Sequence, residues 1–151
     1  MSTTTTSQEN RTLQQKGKVV YTAKCHTTGG RDGGSSRTSD GRLDVKFSLP
    51  GTVSSGTNPE QLFAVGWSAC FISAMEIATA RMKISLPPDT SIDAEVDLAA
   101  GVDGYFLQAR LNVYLPGIER DVAQAVVDAA EKLCPYSKAT RGNIGVEIKL
   151  V

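Results

Sequence analysis

The chain has 151 residues, 40% of them hydrophobic, with 16 basic and 16 acidic side chains. That length allows one domain with a core of its own, and the balanced charge gives no electrostatic footing for nucleic acid. No apolar run is expected to reach the roughly 18 to 20 residues of a membrane span, and residues 1–8, rich in Thr and Ser, lack the charged start and apolar middle of a secretory signal.

Residues 1–15 have no periodicity and read as a disordered tail, leaving a single domain over 16–151. β-branched and aromatic residues at Val19, Val20, Tyr21, Thr22 and Thr27 predict a strand over 18–28. Glycines mark 29–36 as a loop and 39–41 as a turn. Leu43, Val45, Phe47 and Leu49 alternate with polar residues, the pattern of a half-buried strand, which Pro50-Gly51 closes. Residues 52–57 form another loop. A long helix follows to about residue 83, with Asn58 as N-cap, Pro59 at the first helical position and Glu60 in the first turn. Leu62, Phe63, Val65, Trp67, Cys70, Phe71, Ile72, Met75 and Ile77 make it apolar around most of its circumference. Such a helix needs cover on nearly all sides, more than the rest of the domain supplies, so a partner chain is expected. Ile92 to Leu98 and Leu107 to Leu115 alternate on either side of Gly101-Val102-Asp103-Gly104, an antiparallel hairpin. A second helix is predicted over 119–133, ended by Cys134-Pro135, and a last strand over 144–150. The order β-β-α-β-β-α-β, with hairpins, is that of an α+β fold rather than a parallel one.

Few side chains are equipped for catalysis. No phosphate-cradling motif is present, and the glycines at 29–34 miss the dinucleotide spacing. His26, the only histidine, sits in a predicted strand and reads as non-catalytic. One His and three scattered Cys do not readily make a zinc site. The thiols remain. With no signal or span, the cytoplasm is the expected location, and disulfides there are mostly catalytic or sensing. The odd count leaves at least one thiol unpaired within the chain. Read without a family, Cys70 and Cys134 are more readily small core hydrophobes than catalysts. Burial raises a thiol's pKa, and Cys70 lies about 18 Å along the helix from its N-terminus, beyond reach of the macrodipole. An outside cation must activate it, and arginine, held by a carboxylate, suits that role. Arg31 with Glu60 is one of many pairings the sequence allows.

Three runs, taken together and in order, resemble a known family. Gly29-Gly30-Arg31-Asp32-Gly33, Asn58-Pro59-Glu60-Gln61-Leu62-Phe63 with Cys70-Phe71, and Cys134-Pro135-Tyr136-Ser137 continuing to Ile144 are similar to the organic hydroperoxide resistance (Ohr) branch of the OsmC/Ohr superfamily. The resemblance covers about residues 18–151. It implies antiparallel sheets around a buried central helix in an intertwined homodimer. It also implies a peroxidatic Cys70, a resolving Cys134 and an Arg31–Glu60 pair that activates the first. The substrate it implies is an organic hydroperoxide. It implies no bound cofactor and, as reductant, an external dithiol, dihydrolipoamide or a lipoylated protein. Leu62, Phe63, Trp67 and Phe71 are then expected to line an apolar substrate pocket that favours fatty-acid or aromatic peroxides over hydrogen peroxide. Two further readings stand beside this one: a thiol sensor without turnover, and an OsmC-type peroxidase with another substrate preference.

Trp67-Ser68 stands where Tyr-Ala is common in the family, the glycines of 33–36 are slightly unusual, and Cys25 is an extra thiol expected to be incidental. Glu60 and Cys70 are about 15 Å apart along one straight helix. A carboxylate–arginine–thiolate cluster therefore needs a bend or a second subunit, and Arg31 and Glu60 are expected to complete the site across a dimer interface.

Overall fold

Two three-stranded sheets and a long helix organise residues 17–151, the part of the chain that the computed structural model describes. The tail expected at 1–15 lies outside the described residues. β1 (Cys25–Thr28), β2 (Ser35–Thr38) and β3 (Asp44–Lys46) form an antiparallel sheet in that order. β1 is shorter than the strand expected over 18–28. Val19, Val20 and Tyr21, which carried that expectation, pair with no strand among the described residues and are 78%, 93% and 76% exposed. β2 falls partly in the expected loop, because its Ser-Ser-Arg-Thr sequence has no apolar alternation and owes its conformation to pairing with both neighbours.

α1 (Pro59–Arg81) starts where the cap signals place it, with the Gln61 N–H donating to Asn58 Oδ1 at 2.9 Å. Trp67, Phe71, Ala74, Met75 and Ala78 recur at helical spacing and are buried on one stripe. This chain alone covers only that side: Val65 is 67% and Ile77 49% exposed on the other. α1 is also long and apolar enough, at mean hydropathy 1.5, to cross a membrane, against the expectation that no run reaches that length. Here it is the core helix.

β4 (Ser91–Gly101) and β5 (Gly104–Tyr114) form the expected hairpin, paired from Ser91–Tyr114 to Gly101–Gly104. α2 (Arg120–Leu133) follows, then α3 (Pro135–Thr140) and β6 (Gly145–Leu150). β6 lies beside β5 and parallel to it. This corrects the expectation of antiparallel sheets for one pair of strands: the crossover through α2 and α3 returns the chain to Gln108 of β5 and sends it the same way. α3 was not expected either. Pro135 does end α2, but it also occupies the first position of a new turn, with Cys134 held extended before it at φ −65° and ψ 121°. The core lies between α1, α2 and the inner face of this second sheet, centred on Trp67, Phe71, Met75, Leu111, Val113 and Val126.

Candidate active site

The extended backbone at Cys134 lets the chain turn sharply between α2 and α3, and the turn places this thiol, fully buried, against α1 beside Cys70. Cys70 is partly buried near the edge of the covered stripe, and both thiols are free. Burial is the main influence that pushes the Cys70 thiol above its ordinary pKa. Cys134 acts next, through a shared hydrogen bond and then through charge, in the same direction. The backbone N–H of Tyr136, in the first turn of α3, acts the other way by donating to the sulfur. Arg31 is not among the groups acting on Cys70.

Arg31 is placed by its loop. Gly29, Gly30 and Gly33 all have left-handed φ, from +67° to +80°, which only glycine adopts without strain. Gly34 is there for another reason: a Cβ on it would lie under 3.0 Å from the Gly30 oxygen and nitrogen and the Thr28 oxygen. The loop aims the guanidinium at the first turn of α1, where Nη2 donates to Glu60 Oε1 at 2.9 Å and Nη1 to Oε2 at 3.2 Å. This two-pronged pair forms within one chain. It holds the Glu60 carboxyl below its ordinary pKa and the Arg31 guanidinium above its own, the hydrogen bonds being the largest cause of each shift. The pair sits at the wall of a groove of about 650 Å³ whose other walls include Leu49, Pro50, Ala64, Val96, Leu98 and Tyr105.

The sequence-expected residues therefore fall into two groups. Cys70 meets Cys134, and Arg31 meets Glu60, but neither thiol lines the groove at which the second pair sits. The four residues expected to line a substrate pocket are dispersed. Phe71 is completely buried in the core, as is Trp67, whose indole N–H donates to Ser137 Oγ at 3.2 Å. Phe63 packs edge-on against Trp67 and Tyr136. Leu62 faces a second, apolar groove of about 350 Å³ with Cys25, Val45 and Phe47. Trp67 and Phe71 thus line neither of these grooves, because their stripe of α1 is the one this chain covers. Leu49, Pro50 and Tyr105 in the larger groove carry no local signal: a loop and a hairpin end bring them together. Cys25 and His26 are exposed on β1.

Residues 51–149, about two thirds of the chain, match the family model described as OsmC-like protein. The chain belongs to the OsmC-like family. Its relatives include proteins of the organic hydroperoxide resistance branch: the protein of that name from Xanthomonas axonopodis pv. citri is 45% identical over 137 residues, covering 88% of this chain and 96% of the relative. The crystal structure of the organic hydroperoxide resistance protein OhrB of Bacillus subtilis is similar at a TM-score of 0.82 and 38% identity, covering 88% of this chain and all of that one. A Legionella pneumophila structure described as organic hydroperoxide resistance protein OsmC gives the same TM-score at 39% identity, with 88% and 98% covered. The Ohr/OsmC fold is therefore that of this chain.

Proposed function

We propose that this chain is a cysteine-based reductase of organic hydroperoxides. The observation that carries the reading is the meeting of Cys70 and Cys134, free thiols far apart in sequence; the printed names of the relatives support the substrate class. The Cys70 thiolate attacks the distal oxygen of the hydroperoxide, the O–O bond breaks, the distal oxygen and its proton stay on sulfur, and the alkoxide takes a proton from solvent and leaves as the alcohol. Cys70 is then a sulfenic acid. Cys134 attacks that sulfur, water leaves, and a Cys70–Cys134 disulfide results. A lipoyl-type dithiol, dihydrolipoamide or a lipoylated protein, restores both thiols by exchange through a mixed disulfide. Thiols of this kind stay reduced between turnovers in the cytoplasm, the location this reading assigns.

The thiolate needs a cation, and among the described residues none acts on Cys70. The reading therefore includes a homodimer in which the Arg31–Glu60 pair of one subunit faces Cys70 of the other. The open side of α1 at Val65 and Ile77, and the unpaired Val19, Val20 and Tyr21, support such a partner.

Single-turnover consumption of cumene hydroperoxide by pre-reduced protein, with thiols counted before and after, tests the chemistry. Two thiols per chain should disappear rapidly in the wild type and none in Cys70→Ser. Slow or no loss in the wild type would return Cys70 to the core. Oxidation that stops at one stoichiometric event when dithiol is supplied would identify a sensor instead. Equal kcat/KM for cumene hydroperoxide and hydrogen peroxide would defeat the preference for apolar substrates.

A further inference from the structure

Three features of α1 within two turns before Cys70 bear on α3 rather than on the two grooves at Arg31 and Leu62. Trp67 is fully buried, so its indole N–H must find a partner inside the protein, and it finds Ser137 Oγ, itself 4% exposed. Gly66 leaves space that Tyr136 fills: a Cβ there would lie 2.7 Å from the Tyr136 phenol oxygen and 3.2 Å from Cζ. Phe63 sets its ring edge-on to both Trp67 and Tyr136, with centroids 5.6 and 5.9 Å away. Tyr136 and Ser137 are the second and third residues after Cys134, with only Pro135 between. The position of α3 on α1 is thus set by the same short segment that sets the position of the second thiol.

From this geometry we infer that the Trp67–Ser137 hydrogen bond is a positioning device for the resolving step, holding Cys134 on Cys70 so that the disulfide forms before a second hydroperoxide arrives. The inference rests on the proposed two-cysteine chemistry and assigns Trp67 a role other than binding substrate. Two reactions compete for the Cys70 sulfenic acid. In one, the Cys134 sulfur displaces the oxygen, which leaves as water with the thiol proton. In the other, a second hydroperoxide transfers an oxygen to the sulfenic sulfur, giving a sulfinic acid and the alcohol. The first is intramolecular, and its rate depends on how often Cys134 occupies the attacking geometry. The second does not depend on Cys134. Loosening α3 therefore changes the ratio of the products, which a general loss of stability with intact α1–α3 contact does not.

The test uses the full chain carrying Trp67→Phe, Ser137→Ala or both, each treated with a graded excess of cumene hydroperoxide without reductant. Disulfide and sulfinic acid at Cys70 are counted by mass spectrometry. Each single variant should raise the sulfinic-to-disulfide ratio about five-fold, the scale of one buried hydrogen bond. The double variant should be no worse than either, because both remove the same bond. Should Trp67→Phe fold poorly, Ser137→Ala alone decides, since it removes only an oxygen. Wild-type ratios in Ser137→Ala, or an effect confined to Trp67→Phe, would overturn the inference while leaving the peroxidase reading intact. A wild type that forms no disulfide would overturn the reading beneath it.

Discussion

Two glycines in the Arg31 loop should fail for different reasons when given a methyl group. In Gly34→Ala the new Cβ meets three backbone atoms, the Thr28 oxygen and the Gly30 oxygen and nitrogen, all closer than 3.0 Å. Backbone cannot swing aside as a side chain does, and these atoms are tied in: Gly34 N–H donates to the Gly30 oxygen at 3.1 Å, and the Phe47 N–H to the Gly34 oxygen at 2.8 Å. The clash belongs at the upper end of overpacking, about 3 kcal/mol. A stiffer unfolded chain offsets about 0.4–1 kcal/mol of that. The net loss of about 2 kcal/mol corresponds to roughly 4–8 °C in Tm for a domain of this size. Gly30→Ala meets nothing within 4 Å, but its φ is +67°; the left-handed cost of about 1–2 kcal/mol, less the same offset, leaves the smaller effect. Gly145→Ala serves as a control, since its Cβ would meet only Gln108 Cβ at 3.9 Å. Calorimetry at one fixed protein concentration should rank the losses Gly34→Ala, Gly30→Ala, Gly145→Ala. A Gly34→Ala protein that melts within a degree of wild type, or a larger loss from Gly30→Ala, would refute the account of the loop.

Glu60 has a folded-state pKa depressed mainly by its hydrogen bonds from Arg31, so the stability it contributes is present above its unfolded pKa and lost as pH falls through the folded value. Wild type should melt above Glu60→Gln at pH 7, and the two should converge at acid pH below the ordinary carboxylate range; a constant gap across pH counts against the ion pair as its source. Cys134 raises the Cys70 pKa, so Cys134→Ala should speed iodoacetamide alkylation of Cys70 at neutral pH, and unchanged or slower labelling contradicts the coupling. Mixed dimers of Cys70→Ser and Arg31→Ala subunits should regain peroxidase activity if each site draws on both chains. Heterodimers that stay inactive would place the whole site in one chain.

Local signals reached far into this protein. The Asn58 cap, Pro59 and the apolar run gave α1 nearly to the residue, and Gly101 to Gly104 gave the hairpin, because caps and turns depend on a few adjacent residues. The motif runs also named two pairs that the fold does bring together, Arg31 with Glu60 and Cys70 with Cys134. Pairing between distant segments was less legible. The all-polar β2 forms a strand only because β1 and β3 flank it. The parallel β5–β6 pairing follows from a crossover whose path no local pattern specifies.

Periodicity could say that α1 is apolar nearly all round; it could not say which stripe the chain itself would cover. That choice belongs to packing, and it turned Trp67 and Phe71 from expected pocket lining into core while leaving Val65 and Ile77 open. The amino-acid sequence by itself thus determined α1, α2, the hairpin and the reactive residue types, which rest on conformational preferences within a few positions. Only the tertiary structure decided what those residues touch, because burial and hydrogen-bond partners arise from contacts between segments that the chain order keeps apart.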